Sequence, residues 1–207
     1  MEKTKSFVIP EPNEKLVKVK IKADTPLICH QFSEKAKKQM REIMGGVPKR
    51  GKRPPRTPER IMEEYKDSVY RTKSGYLGFP ARNIKNAMVR AAKNVGLAMT
   101  DMKTLFWIFP EEDDLIYLRI NDKKLKKMEG CQMREDPVRV GKGGTDLRYR
   151  AMLTQWEMEF TIRYDADALT PEAVLNLVRR AGRGGLGEWR PTAPKNPGDF
   201  GMFDISN

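Results

Sequence analysis

A glycine-rich run near the end of the chain carries residue types that bind phosphate. Gly185 and Gly187 would let the backbone come close to a ligand, and consecutive amide N–H groups can cradle a phosphate. Arg183 and Arg190 add planar guanidinium groups, and Trp189 offers a ring on which a base could stack. No Gly-Lys-Ser/Thr follows, so the run is not a Walker loop. We predict a nucleic-acid contact here; the alternative is a tight helix-to-strand connection with solvated arginines.

Two further basic segments suit the same chemistry. Residues 45–57 combine five basic residues with three prolines, which predicts a mobile basic loop that closes over a bound strand; the alternative is a solvated linker. Residues 129–150 lack periodicity and predict a protruding, irregular hairpin that either contacts phosphate or covers a sheet edge. The predicted nucleic-acid-binding residues are Lys49, Arg50, Lys52 and Arg53 in the first segment, and Arg139, Lys142, Arg148 and Arg150 in the second.

The single histidine, His30, follows the first predicted strand. As a general base on a ribose 2′-hydroxyl it would serve a metal-independent endoribonuclease, with Lys35 or an arginine stabilising the phosphorane. The sequence shows no partner for it, so we predict a nucleic-acid contact or a hydrogen-bonded structural group instead of a catalytic residue. Two cysteines and one histidine exclude four-cysteine zinc sites. We interpret the acidic run at 111–114 as a solvated turn, and we expect neither metal nor cofactor.

These residues must be positioned by the elements that the hydrophobic pattern predicts. Val17, Val19 and Ile21 alternate with lysines, which predicts a strand with one apolar and one basic face. Further helices are predicted at about 58–70, 81–95 and 171–182, and further strands at 105–109, 115–120, 156–164 and 198–205. Without insertions the order approximates β-α-β-β-α-β, an α+β class with a ferredoxin-like (RRM-type) antiparallel sheet and helices on one face. The lysines predicted on its open face, as nucleic-acid contacts, are Lys18, Lys20 and Lys22.

Length and charge limit the function classes. The chain has 207 residues, with 40 Lys and Arg against 28 Asp and Glu, and a net charge of +12. That length supports a single domain over residues 1–207, and the charge points to a polyanion, nucleic acid before membrane. No apolar run approaches the roughly 20 residues of a membrane span, and the first residues lack a secretory apolar region. We therefore expect a cytoplasmic protein without membrane partners.

Three segments resemble the RAMP superfamily of CRISPR-associated RNA-binding proteins, most of all their crRNA-binding backbone subunits. They follow one another in the family's order at residues 21–27, 78–87, and 185–191 with 198–203. The sequence is also similar to small proteins encoded in phages and prophages, which would make it a free-standing relative. The resemblance implies an RRM-type core that grips a single strand mainly by its backbone, a protruding hairpin and head-to-tail assembly along the strand. His30 matches only loosely the early histidine of the superfamily's processing endonucleases.

The sequence thus favours a non-enzymatic protein that binds single-stranded nucleic acid, RNA before DNA. One alternative is a metal-independent endoribonuclease that uses His30. Another is a phage-encoded mimic or inhibitor of a CRISPR effector complex, with effector subunits as partners. Base specificity, oligomeric state and pathway stay open at this point.

Overall fold

The computed structural model describes residues 10–31, 34–46, 56–140 and 144–206. These residues form an α+β fold with antiparallel sheets, which confirms the predicted class. Its helices are α1 (Glu34–Met44), α2 (Pro58–Asp67), α3 (Ala81–Lys93), α4 (Met99–Leu105) and α5 (Pro171–Gly184). Its strands are β1 (Glu14–Ala23), β2 (Leu27–Ile28), β3 (Tyr70–Arg71), β4 (Leu77–Pro80), β5 (Phe106–Phe109), β6 (Leu115–Tyr117), β7 (Arg119–Ile120), β8 (Lys123–Lys124), β9 (Cys131–Val140), β10 (Gly144–Leu153), β11 (Glu157–Asp165) and β12 (Phe203–Ile205).

The largest sheet is organised around β1 and β11. Its strand order is β12-β1-β11-β7-β8, and β5 pairs with the other end of β11. Val19 and Ile21 of β1 lie opposite Phe160 and Met158 of β11, and all four belong to the same buried core as the apolar faces of α3 and α5. The elements β1, α3, β5, β11, α5 and β12 follow the predicted β-α-β-β-α-β order; the ferredoxin-like assignment itself stays a prediction.

Helix α5 illustrates how local sequence builds the frame. The Thr170 hydroxyl accepts a hydrogen bond from the Ala173 N–H at 3.1 Å, and Pro171 occupies the first turn. The sequence places the end of this helix at Gly182, but α5 continues to Gly184. Gly182 marks a close crossing of α5 over β12, because a Cβ there would collide with the carbonyl oxygen of Phe203. The glycine serves packing and does not terminate the helix.

The hairpin formed by β9 and β10 is regular, so the predicted irregular excursion over residues 129–150 is wrong on that point. Its ladder runs without interruption from Val140 opposite Gly144 to Cys131 opposite Leu153. The periodicity is hidden in the sequence because charged residues occupy inward positions. Asp136 is 2% exposed and Arg150 is 5% exposed, and the Arg150 Nη1 lies 3.6 Å from the Asp136 Oδ2.

No helix among the described residues is long and apolar enough to cross a membrane. Lys49, Arg50, Lys52, Arg53 and Lys142, together with most of the predicted basic loop at 45–57, lie outside the described residues.

Candidate nucleic-acid interface

A cleft of about 140 Å³ opens where the loop after α5 faces β3, β4 and α3. Its apolar wall includes Phe79 and Leu186. The polar residues that converge on it come from four parts of the chain, and they are His30, Tyr70, Asn83, Arg90, Glu188 and Arg190. The cleft therefore joins the predicted glycine-rich segment to the predicted histidine.

The glycine-rich loop is set into the core. Gly185 and Gly187 have φ angles of +69° and +72°, and a Cβ at Gly185 would lie 2.7 Å from the Phe200 carbonyl oxygen. A Cβ at Gly187 would collide with the carbonyl oxygen of Ile28. Leu186, between them, is only 2% exposed. The sequence suggests a surface connection, where a side chain at Gly187 would obstruct a ligand and leave the fold intact. That expectation is wrong for the fold, because the loop is a packed part of it.

Two arginines face each other in this cleft. The Arg190 Nη1 donates to the Gly187 carbonyl oxygen at 2.6 Å, while its buried Nε has no hydrogen-bond partner. Burial lowers the pKa of Arg90, and the charge of Arg190 lowers it further. In the described part of the chain, neither guanidinium forms an ion pair with a carboxylate. An anion bound between them would relieve the repulsion and accept their hydrogen bonds.

His30 has a carboxylate partner that the sequence does not reveal. Its Nδ1 lies 3.1 Å from the Oε1 of Glu188, a residue 158 positions later. The hydrogen bond with His30 lowers the pKa of Glu188, and the charges of His30, Arg150 and Arg190 lower it further against the opposing effect of burial. Because Glu188 is ionised at neutral pH, it fixes the proton of His30 on Nδ1.

The ring of Trp189 has an arginine neighbour, and base stacking on this ring stays a prediction. The guanidinium carbon of Arg134 lies 5.0 Å from the centre of the Trp189 ring and 4.8 Å from that of Phe200. Trp189 has a φ of +53°, a left-handed conformation that is rare for a bulky residue. With the backbone in this conformation, the Trp189 ring lies against Arg134, while its two neighbours, Glu188 and Arg190, both line the cleft.

The other predicted residues lie outside the cleft. Arg183 is exposed in the last turn of α5, and Arg139 is exposed on β9. The Arg148 Nη2 lies 3.7 Å from a carboxylate oxygen of Asp146, and Arg150 is buried against Asp136. Carboxylates of the hairpin therefore neutralise part of the positive charge of its arginines.

The lysines of β1 lie on the sheet face opposite the core, as the alternation predicts. The Lys18 Nζ lies 2.6 Å from Glu159, and the Lys20 Nζ lies 2.5 Å from Asp122 and 3.3 Å from Glu157. Lys22 is exposed. Carboxylates therefore neutralise much of the positive charge on this face.

Sequence reasoning missed Tyr70, Asn83 and Arg90. Asn83 and Arg90 are seven positions apart, two turns of α3, and therefore lie on one side of the helix. That spacing is the available signal. Nothing in the sequence indicates that this side faces the glycine-rich loop.

No family model and no curated protein matches the chain. Among solved structures, the chain is similar to a chain in the cryo-EM structure of the type III-B Cmr-beta bound to cognate target RNA. The two share 10% identity with a TM-score of 0.44, and the similarity covers 94% of this chain and 59% of that chain. This chain therefore spans less than two thirds of that chain's length, and the RAMP resemblance stays a prediction.

Proposed function

We propose that this protein binds single-stranded nucleic acid without cleaving it, and that the cleft holds a backbone phosphate of the strand. The pair formed by Arg90 and Arg190 carries the proposal. The two cations line the same cleft, and among the described residues no ion pair joins either of them to a carboxylate, in a chain with a net charge of +12. RNA is favoured over DNA on the sequence resemblance, which also suggests self-association along the strand and CRISPR effector subunits as partners.

A phosphodiester matches the chemistry of the cleft. Its oxygens accept hydrogen bonds from planar guanidinium groups in the bidentate geometry that arginine favours. The Asn83 amide lines the same cleft and adds a neutral donor, and the Phe79 and Tyr70 side chains provide an apolar wall beside it. These groups recognise the backbone without reading a base, so binding should depend weakly on sequence and strongly on salt.

The test compares Arg90→Gln with Lys18→Gln, which removes the same charge from the ion-paired sheet face. Arg90→Gln should weaken the binding of a labelled RNA oligonucleotide about tenfold or more, because a charge-assisted hydrogen bond to phosphate is removed. It should also reduce the slope of log affinity against log salt by about 0.7, the value for one phosphate of a single strand.

Lys18→Gln should bind within about twofold of the unaltered protein, since Glu159 already neutralises Lys18. Thermal melts of both variants check the fold. An equal loss of affinity in the two variants would show that only total charge matters and would refute a phosphate site in the cleft.

One observation favours a second candidate function, the metal-independent endoribonuclease. The pair formed by His30 and Glu188 supplies an oriented base beside two arginines. In such a reaction a ribose 2′-oxygen attacks the phosphorus, its proton passes to the histidine, and the bond to the 5′-oxygen breaks as that oxygen takes up a proton. Glu188 would stabilise the charged imidazole, and Arg90 and Arg190 would stabilise the phosphorane.

Incubation of RNA with the protein in a chelator decides between the two functions. Binding alone predicts that the RNA stays intact over hours. Cleavage that disappears in His30→Gln, is reduced in Glu188→Gln and is absent with a 2′-deoxy substrate would replace the binding proposal by the nuclease. Cleavage that survives His30→Gln would identify a contaminant.

A further inference from the structure

A turn at residues 123–127 presents cations that the cleft does not use. Its four lysines, Lys123, Lys124, Lys126 and Lys127, are exposed around Leu125, which is 4% exposed. The Leu125 N–H donates to the Leu118 carbonyl at 3.0 Å, and the Leu125 carbonyl accepts from the Leu77 N–H at 2.9 Å. The buried leucine therefore anchors the lysine turn, as we call residues 123–127, to β4 and the end of β6.

Two tyrosine rings position ammonium groups of the lysine turn. The Lys124 Nζ lies 3.8 Å from the centre of the Tyr117 ring, and the Lys126 Nζ lies 4.3 Å from the centre of the Tyr76 ring. The two rings contact each other edge to face, with their centres 5.3 Å apart. Cations over aromatic faces are attracted to them, so these lysines are held in place without being neutralised.

The lysines of the lysine turn are not neutralised by carboxylates of the described residues. In the described residues no ion pair joins any of its four lysines to a carboxylate, whereas Lys18, Lys20 and Lys73 are all ion-paired. Glu112, which lies near the lysine turn because it accepts a hydrogen bond from the Tyr117 hydroxyl, also accepts hydrogen bonds from the N–H and hydroxyl of Ser74 and forms no ion pair with the lysines of the turn. A group of neighbouring cations in this state attracts a polyanion, and counterion release then favours binding.

The lysine turn is hydrogen-bonded to β3, a strand that contributes to the cleft. The Arg71 Nη1 donates to the Lys127 carbonyl at 2.9 Å, and Arg71 directly follows Tyr70, which lines the cleft. We propose that the lysine turn is a second contact site for single-stranded nucleic acid, where the lysines bind successive phosphates of a strand that leaves the cleft. This inference rests on the proposed function for its ligand and adds a site that the cleft does not include.

The experiment compares Lys124→Gln/Lys126→Gln with Lys93→Gln/Lys103→Gln, two exposed lysines on α3 and α4. Each is titrated with RNA oligonucleotides of about 4 and about 16 nucleotides, the range of single-strand site sizes. The lysine-turn variant should bind the longer RNA about tenfold more weakly, with a salt slope reduced by about 0.7 for each phosphate that the protein no longer neutralises. It should bind the short RNA, which fills the cleft alone, like the control.

The outcomes separate this inference from the proposed function. If Arg90→Gln weakens binding and the lysine-turn variant matches its control at both lengths, the cleft binds RNA and the second site is refuted. If only the lysine-turn variant weakens binding, and does so at both lengths, the turn is the primary site and the cleft proposal fails. If neither variant weakens binding, both proposals fail. Melting temperatures within a degree or two of the unaltered protein confirm that weaker binding does not come from unfolding.

Discussion

Gly187 shows how one missing Cβ fixes the glycine-rich loop against β2. We expect Gly187→Ala to reduce the free energy of unfolding by more than about 2 kcal/mol. A left-handed backbone costs an L-residue about 1–2 kcal/mol, and the new methyl group must also displace the Ile28 carbonyl. Gly75→Ala is the matched control, because Gly75 has a φ of +80° with nothing within 4 Å of its Cβ position. Urea unfolding of both variants measures the difference, and equal losses would mean that the loop does not pack against β2.

At the scale of single residues, the sequence predicts which residues line the cleft better than it predicts which residues contact one another. Its pattern indicates Gly185, Gly187, Arg190 and His30, all of which line the cleft. It cannot pair His30 with Glu188, because a contact between residues so far apart in the chain depends on how the sheet folds back. Base stacking by Trp189 is predicted from its residue type alone, and Arg134, which covers its ring, comes from a different element.

Among the elements, the acidic turn before β6 is largely exposed, as our interpretation of the sequence expects, but Glu112 is also held by hydrogen bonds that the sequence does not indicate. Glu112 accepts hydrogen bonds from the N–H and hydroxyl of Ser74 and from the hydroxyl of Tyr117, each at 2.8 Å. Burial raises the pKa of Glu112, but the bonds from Ser74 and Tyr117 outweigh it and lower the pKa to about 2. The turn therefore ties residues 72–75 to β6.

The pH dependence of stability tests the hydrogen bonds that Glu112 forms with Ser74 and Tyr117. Because the folded protein lowers the pKa of Glu112 from its ordinary 4.5, the ionised carboxylate stabilises the fold above pH 4.5, and that contribution is lost as the pH falls towards 2. Glu112→Gln should melt below the unaltered protein at pH 6, and the gap should close as the pH approaches 2. A gap that stays constant from pH 6 to pH 2 would show that the carboxylate charge does not matter.

Elements with local signals can be predicted, and elements with distant partners cannot. Thr57 and Thr170 cap α2 and α5, and a local Thr-Pro pattern indicates both caps because a cap involves residues only three positions apart. The last strand, predicted from Gly198, begins only at Phe203. The preceding segment instead crosses the glycine-rich loop, where the Gly201 carbonyl accepts a hydrogen bond from the Leu186 N–H at 2.9 Å. That crossing has no local pattern.

On the scale of the whole molecule, the net charge is +12, and carboxylates neutralise the basic residues of some regions more than those of others. The face of the large sheet away from the core pairs Lys18, Lys20 and Arg163 with carboxylates. Among the described residues, no ion pair joins a carboxylate to Arg90 or Arg190 of the cleft or to the four lysines of the lysine turn, and Arg71 is hydrogen-bonded to that turn. An approaching polyanion is therefore attracted to these two basic regions before any contact forms. The composition reveals the excess charge, but only the fold shows where it is concentrated.

The position of β1 also constrains how the protein is made. Both strands that pair with β1 lie late in the chain, at residues 157–165 and 203–205, and the Thr25 hydroxyl accepts a hydrogen bond from the Met202 N–H, 177 positions away. At about 20 residues per second, a ribosome needs about ten seconds to advance from β1 to β12. Until β11 emerges, the nascent β1 has two open edges and no sheet to join, and the edge that pairs with β12 stays open until the end of that interval. Synthesis thus exposes this strand to chaperones and to aggregation for longer than any other, and the cleft is complete only when nearly the whole chain has emerged.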